Sequence, residues 1–259
     1  MIRALTTAAS GMDAQQTRLD VTSNNIANVS TPGFKRSRAE FQDLLYQTLR
    51  GPGAPANQGS PTGLQVGMGV RTVGAQRLHS LGDRKVTDRP LDLSIEGEGF
   101  FTVSLPSGDK AYTRAGDFQR NAEGRLVTAD GLPLGSDITI PPDAVNITVN
   151  PDGSVMVQTP GATAPTEVGK LELATFINPS GLQAMGKNLF RETVASGTPI
   201  VGVAGENGTG SIAQGSLELS NVKVVEEMVD LISGQRAYEV NARVIKAADE
   251  MLGQTANLR

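Results

Sequence analysis

Cysteine and tryptophan are absent from this 259-residue chain, histidine occurs once, and aromatic residues make up only 4% of it. Without cysteine there can be no disulfide, thiol nucleophile or thiolate-held metal. A lone histidine, His79, rules out a two-histidine metal site and leaves triad chemistry unsupported, so His79 reads as a surface or interface residue. Basic charge is also short: 23 Lys and Arg against 27 Asp and Glu leave a net charge of -4, which argues against a nucleic-acid or anionic-membrane surface. No stretch approaches the roughly 20 apolar residues needed to cross a bilayer, and Met1-Ile2-Arg3-Ala4-Leu5-Thr6-Thr7 lacks the long apolar run of a secretory signal. Few aromatics with 30 Gly and 14 Pro suit a body of short strands and turns around a modest core.

The strongest pattern lies at the two ends. Ile2, Leu5, Ala9, Met12, Gln16, Leu19, Ser23 and Ile26 follow one another at three- and four-residue steps. So do Val224, Met228, Leu231, Gln235, Tyr238, Ala242, Ile245, Asp249, Leu252 and Ala256. That alternation is the mark of a coiled-coil seam. A chain that leaves along one long helix and returns along another brings the two together antiparallel. Val225, Val229 and Ile232 add a second apolar ridge to the C-terminal helix, and Ala4, Thr7 and Ala8 flank the N-terminal seam. Two helices cover one ridge each, so a second ridge predicts a neighbouring copy, and assembly is the first functional expectation.

Between the ends the period changes. The first helix is expected to run out at Asn28, ahead of Pro32 and Gly33. Phe41, Leu44, Leu45 and Leu49 suggest a second, amphipathic helix over residues 36–49. Residues 51–63 are rich in Gly and Pro and offer no core, which predicts a linker or extended arm. From residue 66 to about 218 apolar residues alternate, as in Leu91, Leu93 and Ile95 or Phe101, Val103 and Leu105. Val145, Ile147 and Val149 lead through Asn150-Pro151-Asp152-Gly153 to Val155 and Val157, a predicted hairpin. The middle is therefore expected to be β-rich, with the C-terminal helix beginning near Asn221.

Catalytic readings are weak throughout. Glu96 with Glu98, and Asp109 with Asp117, are the carboxylate pairs a glycosidase would need, yet Gly97 and Gly99 make the first pair read as a solvated strand end. Gly97-Glu98-Gly99 lacks the third glycine and the following helix of a dinucleotide fingerprint. Asn146-Ile147-Thr148 and Asn207-Gly208-Thr209 match the glycosylation pattern, which carries no weight alone.

Ser23-Asn24-Asn25-Ile26-Ala27-Asn28 followed by Thr31-Pro32-Gly33-Phe34-Lys35 resembles the N-terminal signature of the bacterial flagellar axial proteins, the rod and hook family. Gln235-Arg236-Ala237-Tyr238, Asn241-Ala242 and Asp249-Glu250-Met251-Leu252 are similar to that family's closing helix. Gly97-Glu98-Gly99-Phe100-Phe101, Tyr112-Thr113-Arg114-Ala115-Gly116 and Gly124-Arg125-Leu126-Val127-Thr128 resemble its shared β-domain. Tyr46-Gln47-Thr48-Leu49-Arg50 with the Gly/Pro stretch through Gly63 looks like the insertion of the family's distal-rod members, and the chain has no room for the outer domain of hook proteins.

The resemblance implies an α+β chain with a discontinuous terminal-helix coiled-coil domain, residues 1–30 and 222–259, forming the inner layer of a tube. It implies a connecting segment over 31–90 with an extended arm at 46–66, and a β-rich outer domain over 91–221. The implied function is a non-enzymatic subunit of the distal rod, a rigid helical homopolymer that carries motor torque for swimming. The implied partners are proximal-rod proteins, the hook protein, the peptidoglycan and outer-membrane ring proteins, and the flagellar type III export apparatus. Export by that route, without a cleaved signal, would put the rod in the periplasm; no cofactor, nucleic acid or small-molecule substrate is implied. The expected subunit-assembly residues are Ile2, Leu5, Met12, Leu19, Ile26, Asn28, Val224, Met228, Leu231, Gln235, Tyr238, Ala242, Ile245 and Leu252, with Tyr46, Pro52, Pro55 and Pro61 in a rod-stiffening arm. A proximal-rod subunit and, from another class, a peptidoglycan hydrolase are the rival readings.

Overall fold

A computed structural model of the chain describes residues 2–51, 63–136, 138–161, 164–206 and 208–257. The chain divides into two compact units, one of residues 1–27, 37–77 and 223–259 and the other of residues 28–36 and 78–222. The segment 37–77, expected as part of a connection, thus belongs with the helices.

In the first unit, α1 spans Ile2–Ala27 and α2 spans Val224–Asn257. At 1.5 Å per residue they are about 39 and 51 Å long. Glu226 and Glu227 in the first turn of α2 complement the positive end of its dipole. The expected helix over residues 36–49 is not formed. Ser37–Asp43 pairs antiparallel with Val70–Arg77, and Tyr46–Arg50 pairs with Leu64–Gly67, so a long two-stranded ribbon runs out and back. Leu44 N donates to Gly69 O at 2.9 Å and bridges the two stretches of pairing. Four leucine and phenylalanine positions suit a helix face, but the chain pairs this segment with a partner strand some 30 residues on, and that pairing overrides local preference.

The β-rich unit contains a six-stranded antiparallel sheet in the order 183–186, 189–191, 110–113, 100–104, 172–175, 200–203. A three-stranded sheet (146–149, 154–158, 166–170) and short two-stranded pairs complete it. The hairpin expected at Asn150–Gly153 is present: Gly153 N donates to Asn150 O at 2.9 Å, and Gly153 takes φ +82°, which only glycine adopts without strain. Leu93, Ile95, Phe101, Phe118, Leu171, Leu173, Val155 and Ile212 form the main core. Phe100, Tyr112, Phe176 and Phe190 pack a second, aromatic core whose rings meet edge to face. The alternation of Phe100 and Phe101 between these clusters is the period-two pattern at work. Helices at both ends and a β-rich middle make the chain α+β. Among the described residues no helix is long and apolar enough to cross a membrane.

Candidate assembly surfaces

The helix pair is built on small residues. A Cβ added at Gly11 would lie 3.0 Å from Asn241 Nδ2, and one at Gly234 would lie 3.1 Å from Leu19 Cδ2. Arg18 meets Asp230 at 2.6 Å, and Asn25 Nδ2 donates to the buried Glu227 carboxylate at 3.1 Å. Partners on α2 fall in number as those on α1 rise, so the helices run antiparallel. Leu5, Met12, Leu19 and Ile26 are half-buried, as are Leu231, Ala242, Ile245 and Leu252. The other expected seam positions are displaced by one residue: Ala8, Gln15 and Thr22 are covered where Ala9, Gln16 and Ser23 are exposed, and Glu227, Gly234 and Ala248 are buried where Met228, Gln235 and Asp249 are exposed. Large apolar residues thus occupy one row and small or polar ones the other. Two heptad rows of the sequence carry this signal, Ala8-Gln15-Thr22 and Glu227-Gly234-Asn241-Ala248. It is easily missed because neither row is apolar.

The displacement leaves much apolar surface on α2 uncovered by this chain. Val225 is 75% exposed, Val229 62% and Ile232 50%, and Val240, Val244 and Met251 continue along the helix. Val224, Met228, Gln235 and Tyr238 are exposed too. Ile2 opens α1, and Asn28 is half-buried one residue beyond its end, in the β-rich unit.

The ribbon is anchored on α1. Asn25 pairs with Ser37 as a strand would, Ser37 N donating to Asn25 Oδ1 at 3.0 Å and Asn25 Nδ2 donating to Ser37 O at 2.8 Å. At Gly69 an added Cβ would come within 2.2 Å of Ser10 Oγ, and φ +114° is a conformation that residues with side chains rarely adopt. Farther out, Leu45 (88%), Tyr46 (56%), Leu49 and Leu64 are exposed. Pro52, Pro55 and Pro61 lie outside the described residues.

The signature motifs meet inside the β-rich unit. Lys35, Glu218 and Arg114 are all buried. Glu218 Oε1 accepts from Lys35 Nζ at 2.6 Å and from Gly82 N at 3.0 Å, and Glu218 Oε2 lies 3.1 Å from Arg114 Nε. Arg114 also donates to Gly99 O at 2.7 Å and Gly97 O at 2.8 Å. Gly33, φ +69°, passes so close that a Cβ would meet Ala115 N at 2.5 Å. Burial pulls the Lys35 ammonium below its usual range against the opposing pull of Glu218, and burial likewise lowers Arg114. These motifs therefore build a shared buried charge cluster rather than a reactive site.

In each carboxylate pair that a glycosidase would need, one member binds an arginine. Glu96 pairs with Arg84, and Asp109 with Arg191 at 3.0 Å. Burial raises Asp117 above the usual carboxylate range, with Asp92 adding to the shift. His79 packs edge-on against Phe100 and Phe190, each at 5.6 Å, beside a cleft of about 220 Å³ lined by Leu81, Phe176, Pro179 and Arg114.

Residues 5–35 match the model of the flagella basal body rod protein family, residues 94–157 the flagellar hook protein FlgE/F/G D1 domain, and residues 213–258 the flagellar basal body rod FlgEFG protein C-terminal domain. Along its whole length the chain is 49% identical to flagellar basal-body rod protein FlgG of Caulobacter vibrioides, over 261 residues covering all of both chains. The chain belongs to the flagellar basal-body rod protein family. It is 48% identical to FlgG of Buchnera aphidicola subsp. Schizaphis graminum and 40% to FlgG of Bacillus subtilis, again with both chains fully covered. The family is one of structural proteins, not enzymes, and assembles in the rod with other flagellar components. The ridge of α2 and the outer part of the ribbon carry apolar side chains that this chain leaves exposed.

Proposed function

We propose that this chain is a structural subunit of the distal rod, polymerising with copies of itself into a rigid helical tube that carries motor torque to the hook. The carrying observation is the ridge Val225-Val229-Ile232, which extends along a helix whose other face is already occupied by α1. Apolar side chains repeated down one face of a 51 Å helix are covered when copies stack, and a head-to-tail interface that repeats without closing yields an open helical filament. In this reading α1 and α2 form an antiparallel coiled coil in the tube's inner layer. Neighbouring copies cover the ridge together with Met228, Gln235 and Tyr238, and the arm at 46–66 ties subunits laterally. Proximal-rod proteins join one end and the hook protein the other. Peptidoglycan and outer-membrane ring proteins surround the tube in the periplasm, which the subunit reaches through the type III export apparatus without a cleaved signal.

Electron microscopy of the purified protein under assembling conditions tests this. The parent should form tubes, and Val229→Asp/Ile232→Asp should form none while its monomer unfolds at the parent's denaturant midpoint. Tubes of equal yield from the variant would remove the ridge from the interface. Replacing residues 51–63 by a two-residue turn should leave the monomer's stability unchanged and shorten the tube's persistence length. Unchanged stiffness would favour a proximal-rod subunit.

A further inference from the structure

The chain passes between its two compact units four times, at 27/28, 36/37, 77/78 and 222/223. Three of these passages begin or end at residues held together on the β-rich side by polar bonds. Asn221 Oδ1 accepts from Arg36 N at 2.7 Å, while Asn221 Nδ2 donates to Leu78 O at 2.9 Å and to Ser80 Oγ at 2.9 Å. Leu78 N donates to Arg36 O at 2.8 Å, and Lys35 Nζ donates to Ser80 O at 2.7 Å. Glu218 joins the same three segments through Lys35 Nζ, Gly82 N and its own carbonyl, which accepts from Gly33 N at 2.9 Å. Arg114, one residue past the strand 110–113 of the six-stranded sheet, ties Glu218 into the body of the unit.

We propose that Glu218, Lys35, Arg114 and Asn221 form a force latch that keeps the passages 28–36, 78–83 and 216–222 from peeling off the β-rich unit when the terminal helices are pulled or twisted. The chemistry suits this role better than it suits stability. A buried ion pair contributes little more to folding than an apolar isostere of the same shape, yet its bonds are directional and charge-assisted. An apolar contact slides under load; a short carboxylate–ammonium bond in a dry site does not until it breaks. Glycine reinforces the fit at Gly82, where a Cβ would lie 2.0 Å from Leu219 O, so segment 78–82 lies directly on segment 216–222. The inference gives the drive-shaft reading a molecular point of force transfer, but its test needs no polymer.

Because the chain has no cysteine, thiol-reactive handles go only where cysteines are introduced. Handles at Ala9→Cys in α1 and Ser107→Cys in the β-rich unit, both exposed positions, allow the full monomer to be stretched in an optical trap. The latched chain should show an early step at well-defined force, lengthening by at most about 20 Å as the passage 78–83 straightens at about 3.4 Å per residue; 28–36 only loops out, because Asn25 stays bonded to Ser37. Lys35→Met, which keeps the aliphatic stem and leaves Glu218 paired with Arg114, should lower that force about two-fold, since charge-assisted bonds are roughly twice as strong as neutral ones. Its denaturant midpoint should stay at the parent's value; Asn221→Ala should lower the force too, and lowers the midpoint as well because it leaves Arg36 N and Leu78 O without their partner. Ser154→Ala, a buried polar change remote from the latch, should leave the early step unaltered. The proposal fails if Lys35→Met and Asn221→Ala leave the early force unchanged. It fails equally if Lys35→Met lowers force and denaturant midpoint together, or if Ser154→Ala lowers the force as much.

Discussion

Exchanging the knob and the hole at the closest point of the helix pair tests whether the seam is set by the small-residue row. Leu19 of α1 sits over Gly234 of α2, where an added Cβ would be 3.1 Å from Leu19 Cδ2. Leu19→Ala alone removes three carbons from a half-buried contact, which places it at the low end of the usual cost, about 2 kcal/mol. Gly234→Leu alone gains about 1 kcal/mol from replacing a mid-helix glycine. It pushes four carbons into occupied space at a cost of about 2 to 3 kcal/mol, for a net loss of about 1 to 2. Independent effects would sum to about 3 to 4 kcal/mol. In the double variant the knob comes from the other helix and the loss should shrink to about 1, a coupling of about 2 to 3 kcal/mol. Denaturant unfolding followed by the helical circular-dichroism signal measures all four corners of the cycle. Additive losses within about 0.5 kcal/mol would mean that Leu19 and Gly234 do not touch and that the displaced seam is wrong.

Tyr112 is buried, its hydroxyl donates to Glu192 at 3.2 Å, and burial, with the Glu192 carboxylate adding, pushes it up to about 12 from 10.0. With Tyr46→Phe and Tyr238→Phe, ultraviolet absorbance should show this sole tyrosine ionising near 12. Between these values the unfolded chain has lost a proton that the folded one keeps, so stability should fall as pH rises through that window; ionisation near 10 in the folded protein would contradict the burial. Glu218→Gln strands two buried cations and should cost about 3 to 5 kcal/mol in a melt, and a loss under 1 would mean the cluster is hydrated. Tyr238→Ala should hardly shift monomer unfolding, since Tyr238 is 40% exposed, but should weaken tube formation by about 2 kcal/mol per subunit, read from the critical concentration. An unchanged critical concentration would take Tyr238 out of the interface.

The two helices, the β-rich middle and the hairpin at Asn150–Gly153 were legible because each is written in local periodicity. The seam was read one residue off in one row because apolar side chains were followed, whereas the helices approach through Gly11, Gly234 and Ala248. Met228 and Tyr238, large and apolar, lie on the outer side. Residues 36–49 mislead for a related reason: Phe41, Leu44, Leu45 and Leu49 have helical spacing, but Phe41 and Leu49 lie on paired strands, Leu44 and Leu45 lie between them, and Leu45 and Leu49 are exposed. Glu218 was invisible. Its bond to Lys35 spans 183 residues, and no local pattern marks an acid whose partners lie so far away. The glycines of the quoted motifs were legible as special positions, though their reason, close backbone approach at Gly33 and Gly116, is a tertiary fact.

Because α1 and α2 stand at opposite ends of the sequence, their pairing closes a loop of about 200 residues, at an entropic cost of about 4 to 5 kcal/mol for a flexible chain. Folding of the intervening β-rich unit removes most of that cost by bringing the loop's ends into one small body. Pairing of the helices is therefore a late event that reports completion of everything between them. A chain cut short in the middle lacks α2 altogether, and one misfolded there holds its two end segments apart, so α1 and α2 do not pair. Sequence order thus works as a proofreading step: the paired helices that carry the apolar ridge exist only on copies that have already finished folding.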